Sequence, residues 1–564
     1  MASYTPGTYT GKGYGVRGKV ILEVTFSEDR ITDIKIVKHK EIYGQAYGLE
    51  SSPFEYYIPK IIEHQSLAVP MVVGAEVVCG AIVHAVASCV EQAGGDADAL
   101  KKVPVPVPAK KPDRTIDADV VVFGSGLAGL SRGRGSRRLR GQGCSGGKAG
   151  NRRRIFRNIR RQADCGRYPY AERAQGIYDS PQELFGFLKN AAGGFLDDPK
   201  INYFCYHANE NLEWLIKMGH EVQDLEAPHG SQLPWRIHNC IGGEGQTMGW
   251  GGSFIVPLNN RFHELGGTTL LNTALSELIR EDGRVVGAKA VDTQDGSTVT
   301  FHASQGVILG TGGYAANREL VESKFPWMKD YYYNCPDSSQ GDGIWAAEAI
   351  GARNYQHPYL QTMLLHDRSG AGVNEESGLI VTRSGKRFCN EYQFHSLVGA
   401  ELARTGSAGA WYITCGDEPF QLLNYALTLP DTPKAGSIKE LAGKMGVDPE
   451  VLENTVNRYN ELCRAGFDED FEKPAGQMHE LKGPVYYAVF LKPATSITFG
   501  GLQIDITGRV MDQEGRIIPG LFASGEVANT GNFGHGVPAC GYSLGHALCF
   551  GRIAARTACQ REML

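Results

Sequence analysis

Val20, Leu22, Val24 and Phe26 alternate with Lys19, Ile21, Glu23 and Thr25. That period of two predicts a strand with one buried face. The polar run Ser27-Glu28-Asp29-Arg30 predicts a turn, and Ile31 to Val37 a returning strand. Gly80-Ala-Ile-Val-His-Ala-Val reads as a helix. The pattern breaks at KKVPVPVPAKKPDR, residues 101–114, where proline repeats and lysines predict a semi-extended linker. These breaks divide the chain into a first unit over 1–98, a linker over 99–115 and a long remainder.

The remainder opens on a short apolar strand, Asp119-Val-Val-Val-Phe123, which runs into Gly124-Ser125-Gly126-Leu127-Ala128-Gly129. G-x-G-x-x-G directly after a buried strand is the context of a dinucleotide fingerprint. The first glycine allows a tight turn, the second lets backbone approach a pyrophosphate, and the third permits close helix–strand packing. The design recurs. Val307-Ile-Leu-Gly310 ends in Thr311-Gly312-Gly313-Tyr314, and Gly520-Leu-Phe-Ala-Ser ends in Gly525-Glu526-Val. Glu281-Asp282-Gly283-Arg284 and Asp295-Gly296 predict hairpin turns between them. Three glycine-ended strands far apart in sequence predict one nucleotide site assembled from the whole domain.

Composition narrows the picture. At 564 residues the chain is long enough for roughly 3.8 compact units. Hydrophobic residues at 42% and charged residues at 21% are ordinary for a globular protein. A net charge of -5 gives no sign of a nucleic-acid partner. No apolar run reaches the ~18 residues of a membrane span, and the N-terminus lacks a basic start followed by an apolar run. The 13 cysteines show no haem or zinc spacing, which suits reduced thiols. The expectation is a cytoplasmic protein with no metal site. The 72 glycines suit either many tight turns or backbone lying close to a ligand.

One stretch does not fit. After Gly129 the chain reads LSRGRGSRRLRGQGCSGGKAGNRRRIFRNIRRQADCGRYPYAER, with neither helical nor strand periodicity. It cannot bury a face against a sheet without stranding arginine charges. One reading is a solvated basic insertion. The preferred one is a reading-frame error between about Arg132 and Arg173. A one-base shift, with permissive wobble bases, allows a helix, a valine-rich strand ending in an acid, and a Gly/Ser loop. Sequencing the coding DNA decides between the two.

Over about 116–564 the chain resembles the FAD-dependent fumarate reductase flavoprotein superfamily, which includes urocanate reductases and 3-ketosteroid dehydrogenases. The resemblance rests on Gly124–Gly129, Gly310-Thr-Gly-Gly-Tyr, Gly385-Lys-Arg387-Phe-Cys-Asn-Glu391, Phe499-Gly-Gly501 and Gly525-Glu526-Val. It implies an α/β fold: a Rossmann-like FAD-binding domain over 116–344 and 491–564, with an inserted α+β capping domain over 345–490. Residues 1–98 resemble the small α+β FMN-binding domain often fused in front. Gly124, Ser125, Gly126, Ala128, Gly129, Thr311, Gly312, Gly313, Gly525 and Glu526 are then expected to hold FAD. Glu526 would contact the ribityl chain, with Ser543 and Leu544 beside the isoalloxazine.

By the same resemblance Arg387 is the proton donor, although arginine donates rarely because its pKa is above about 12. The alternative is an arginine bridging the cap to a carboxylate such as Glu391. Fumarate reductases clamp a dicarboxylate with two histidines and an arginine. Here those places fall near Met363, at Ser496 and at Pro538, with His357, His366 and His535 nearby. Without a charged clamp a second carboxylate binds poorly. The resemblance places the substrate against Met363, Ser496, Gly501 and Gly541, whose amide matches the ketone-binding loop of the ketosteroid dehydrogenases, with Tyr542 offering a hydroxyl. The expected reaction is reduction of an activated C=C bond in an enone or enoate, not fumarate. Its electrons would come from reduced flavin, NAD(P)H or a redox protein.

Two alternatives stand beside it: dehydrogenation of a ketosteroid-like substrate, and an inactive flavin-binding homologue or electron carrier. Members of the superfamily with covalent FMN carry S-G-A-T with threonine as acceptor. This chain has Val73-Gly74-Ala75-Glu76, and glutamate cannot form that phosphoester. Non-covalent FMN is the candidate second cofactor, and a relic domain is the alternative.

Overall fold

The alternation near the N-terminus becomes a three-stranded antiparallel sheet of Gly7–Tyr14, Lys19–Phe26 and Ile31–Lys38. Val20, Leu22, Val24 and Phe26 point into its core, against the helices Pro53–His64 and Glu76–Gln92. A Cβ on Gly11 would lie 1.9 Å from the Ala85 carbonyl oxygen, and one on Gly13 1.9 Å from that of Ala81. The second helix therefore seats directly on the first strand. The predicted Gly80 helix is real and longer than its apolar run.

The computed structural model describes residues 4–14, 19–39, 52–71, 76–131, 179–192, 196–220, 222–226, 237–240, 250–336, 338–357, 360–366, 378–393, 395–416, 429, 431–534, 536–537 and 541–559. The irregular stretch 132–173, Val73–Ala75, His535 and Pro538 lie outside the described residues. No helix among the described residues is long and apolar enough to cross a membrane.

Residues 104–113 carry no regular secondary structure. The strand Arg114–Phe123 follows and pairs in parallel with the long strand Thr298–Leu309. On the other edge of Thr298–Leu309, the antiparallel hairpin Thr273–Glu281/Arg284–Asp292 covers its first half and the parallel strand Ile517–Ala523 its second. Both predicted turns form. Glu281 faces Arg284 across Asp282 and Gly283, whose φ values are 45° and 81°. This is the left-handed pair that a two-residue hairpin favours. This α/β architecture is as expected from the sequence.

The cap sheet is built on Tyr486–Thr495, which pairs with Tyr332–Tyr333, Met363–Leu365, Ala410–Cys415 and Lys434–Ala435. Leu379–Thr382 continues it beyond Ala410–Cys415. This sheet reaches outside the expected 345–490 on both sides. Conversely, Asn354–Tyr355 pairs with Gly501–Leu502. The central strand Tyr486–Thr495 runs unbroken across the expected border, so no change of pattern marks residue 490.

Candidate active site

Three parallel strands end at one level. Leu309 is in register with Phe123 on one side and with Ala523 on the other. The glycine turns after Phe123, Leu309 and Ala523 therefore open side by side at the carboxyl ends of the strands, where open α/β sheets bind ligands. The three fingerprint glycines do different work. Gly124 has φ 106°, and a Cβ there would lie 2.0 Å from the Gly310 oxygen. A Cβ on Gly129 would lie 2.0 Å from the Gly124 oxygen, whereas one on Gly126 would meet nothing within 4 Å among the described residues. The outer two lock the turn, and the middle one faces space.

Polar groups converge on that space. Ser125 Oγ and Thr311 Oγ1 are buried with no hydrogen-bond partner among the described residues. Gly312 has φ 78°, which turns the chain after the second strand. Gly313 is pressed on Glu526, since a Cβ would approach its Oε1 to 2.3 Å. Thr498 donates to Glu526 Oε1 from its backbone N–H at 2.8 Å and from its hydroxyl at 3.1 Å. Burial pushes the Glu526 carboxyl up to about 7 despite these bonds. Gly525 (φ 77°) would clash with Ala128 Cβ at 2.8 Å if it carried a Cβ. Tyr542–Ala558 is a helix entered through Gly541 at φ 82°, with half-buried Ser543 and Leu544 in its first turn. An unpartnered pair of hydroxyls, an open middle glycine and a long helix start fit a dinucleotide.

Behind this loop lies a buried cation. Lys200, 1% exposed, donates to the Thr530 carbonyl, and burial lowers its pKa to about 8. Asp197 N–H donates to the Gly531 oxygen at 2.8 Å. Thr530 in turn donates to the Gly501 oxygen, and Asn529 Nδ2 to the Thr498 oxygen at 2.7 Å. The turn bearing Glu526 is thereby held from both sides.

The expected substrate residues divide. Met363 stands opposite Ala494, and Ser496 donates to Gln361 Oε1 at 2.6 Å. Met363, Ser496 and Gln361 are half-buried neighbours. Gly541 lies at the helix entrance, also half-buried. Gly501 is buried, and its Cα side faces the Val527 oxygen. Tyr542 is 0% exposed, with its ring edge-on to Phe204 and Phe533. Its ring is enclosed in the core. His357 and His366 are buried, and His357 lies edge-on to Phe499 at 5.5 Å between centroids.

Arg387 occupies the place of the bridging alternative. Nε and Nη2 donate to Glu391 at 2.9 and 2.8 Å, and Nη1 and Nη2 to Asp468 at 3.0 and 2.7 Å. Tyr459 and Phe471 flank the guanidinium, at 5.1 and 4.9 Å to their centroids. Lys473 Nζ lies 3.4 Å from Glu391 Oε2. Burial by itself would lower the Arg387 pKa, but the two carboxylates outweigh it and hold it above the usual arginine value. Four of the five guanidinium N–H groups are thus engaged by the two carboxylates, which is the arrangement of the bridging alternative. Sequence reading missed Asp468, Lys473 and Gln361. Asp468 and Lys473 sit in a polar run without periodicity, and only the tertiary fold buries them.

A profile of the family described as FAD binding domain matches residues 119–544. The chain is 27% identical over 633 residues to an NADH:acrylate oxidoreductase from Vibrio harveyi, which covers 98% of this chain and 61% of that protein. It is 28% identical over 582 residues to a urocanate reductase from Eggerthella lenta, covering 98% of this chain and 92% of that protein. The open conformation of a flavocytochrome c3 fumarate reductase superposes with a TM-score of 0.64 at 24% identity, over 80% of this chain and 79% of that one. Converging glycine turns of this kind and a match across three quarters of the length lead to one assignment: the chain belongs to the FAD binding domain family and is an FAD-dependent oxidoreductase of the fumarate reductase flavoprotein superfamily.

Proposed function

We propose that this chain reduces the activated C=C bond of an enone or enoate rather than of fumarate. When bound, FAD would supply a hydride to the alkene, and the proton that completes the reduction would come from Arg387, as the resemblance implies, or from water. Gly126 leaves room for the diphosphate, Ser125 and Thr311 offer their hydroxyls, and Glu526 reaches the ribityl chain. Ser543 and Leu544 border the isoalloxazine. Met363, Ser496 and Gly541 receive the substrate.

The observation that carries the reading is the uncharged face formed by Met363 and Ser496, two residues from the Thr498–Glu526 contact. Among the described residues, Arg387 gives four of its five N–H groups to Glu391 and Asp468 rather than to a ligand carboxylate. The names of the two relatives aligned over 98% of the chain, acrylate and urocanate, point the same way. Electrons enter from reduced flavin, NAD(P)H or a redox protein, with non-covalent FMN in the N-terminal unit as one route.

The test is reoxidation of dithionite-reduced holoenzyme by acrylate, cyclohexenone and fumarate. Acrylate or cyclohexenone should reoxidise the flavin faster than fumarate. Fumarate acting as well or better overturns the reading. Bleaching of the oxidised enzyme by a saturated 3-ketosteroid supports the dehydrogenase instead, and inertness toward every compound supports an electron carrier.

A further inference from the structure

We infer that Gln361 is the residue that recognises the oxygen of the substrate's activating carbonyl or carboxylate, with Ser496 fixing its orientation. The inference rests on the proposed C=C reduction and names the group that selects the substrate.

Ser496 Oγ donates to Gln361 Oε1 at 2.6 Å, so the amide oxygen faces the hydroxyl and the amide nitrogen faces away. No described residue accepts from that nitrogen. A side-chain NH2 carries two donors, both open here to an acceptor on a ligand. Gln361 is only half-buried, so a ligand reaches it without opening the fold.

Its position is set by neighbours on both strands. Leu360, the preceding residue, bridges to Thr498, whose N–H and hydroxyl hold Glu526. Ser496 stands two residues from Thr498, about 7 Å along an extended chain. Gln361 therefore follows directly on the residue that bridges to the cofactor-holding Thr498, and its side chain meets Ser496.

The chemistry selects a class of ligand. Two neutral donors suit one acceptor oxygen, that of a ketone or of a single carboxylate. They supply no charge for a second carboxylate, which needs a bidentate cation. A compound without an acceptor leaves the amide unpaired, and sites of this kind reject such analogues strongly.

The experiment uses flavin-replete wild type, Gln361→Leu and Gln361→Met. Propionate, cyclohexanone and succinate are titrated against the oxidised flavin absorption, and the dissociation constants of the responding probes are compared. Either Gln361 variant should weaken propionate or cyclohexanone binding about 10- to 100-fold, with the flavin content unchanged. KM for the corresponding unsaturated compound should rise more than kcat falls. A change of less than threefold in a flavin-replete variant overturns the inference, and a larger one supports it. If neither variant retains flavin, Ser496→Ala is read by the same rule, because it releases the amide from its fixed orientation. Should wild type bind the probes but reduce no alkene, the proposed reaction fails while the recognition role of Gln361 is still decided by the dissociation constants.

Discussion

Removing the Arg387 guanidinium separates scaffolding from proton transfer. In Arg387→Met the carboxylates of Glu391 and Asp468, both with fully buried side chains, lose four hydrogen bonds. Glu391 keeps Lys473 at 3.4 Å, and Asp468 keeps the backbone N–H groups of Asp470, Phe471 and Lys473. Breaking a buried ion pair from one side costs about 3–5 kcal/mol. Adding Asp468→Asn removes the stranded charge and leaves Glu391 and Lys473 as a neutral pair. The amide oxygen in the Oδ1 place still accepts from the Asp470 and Phe471 N–H groups, while the bond from Lys473 N–H to Oδ2 is lost. The second substitution should therefore recover about 1–3 kcal/mol, a coupling of the size seen between contacting residues. Urea unfolding of both variants measures this.

The double variant then answers the catalytic question. Removing a general acid slows a reaction by about 10²–10⁴-fold. A clamp whose loss is compensated should leave acrylate-driven flavin reoxidation within about tenfold of wild type. A flavin-loaded double variant as stable as wild type yet slower by a factor of about 100 or more would identify Arg387 as the donor. No recovery of stability by Asp468→Asn would refute the charge argument itself.

Further expectations concern the cofactor cradle. Gly129→Ala forces a Cβ to 2.0 Å from the Gly124 oxygen and should lower both stability and FAD content. Gly126→Ala meets no protein atom within 4 Å among the described residues. Its FAD-free melting temperature should match wild type while FAD affinity, followed by flavin fluorescence quenching, falls at least about tenfold. Parallel effects of the two substitutions would argue against the cradle. Glu526→Gln tests the buried carboxyl. Its shift from 4.5 to about 7 corresponds to about 3 kcal/mol. The stability tied to neutral Glu526 is fully present below about pH 4.5 and is lost as pH rises through about 7. The FAD-free glutamine variant should therefore gain on wild type at pH 8 and not at pH 4.5, as read by chemical denaturation. A pH-independent difference contradicts this. Chromatography of flavin released by heat should give FAD, and FMN in equal amount if the N-terminal unit carries it. FAD alone assigns that unit a role without flavin.

Local order is what the chain announces by itself. Alternation at Val20–Phe26, the glycines at 124–129, 310–313 and 525, and the Asp282-Gly283 turn are short-range facts. Strand period and left-handed φ are decided within a few residues. They were enough to predict that separate strands build one nucleotide cradle. Packing of distant segments decided the rest. Leu309 faces both Phe123 and Ala523, which explains why the three turns open together. Arg387 reads as a donor or a bridge until Asp468, 81 residues away, closes on it. Tyr542 follows a glycine at a helix start, yet Phe204 and Phe533 enclose it. The strand Tyr486–Thr495 crosses residue 490 with no break in pattern. A side chain's charge and hydrogen-bonding capacity are written in its residue type. Which of its groups remain available depends on partners that only long-range folding supplies.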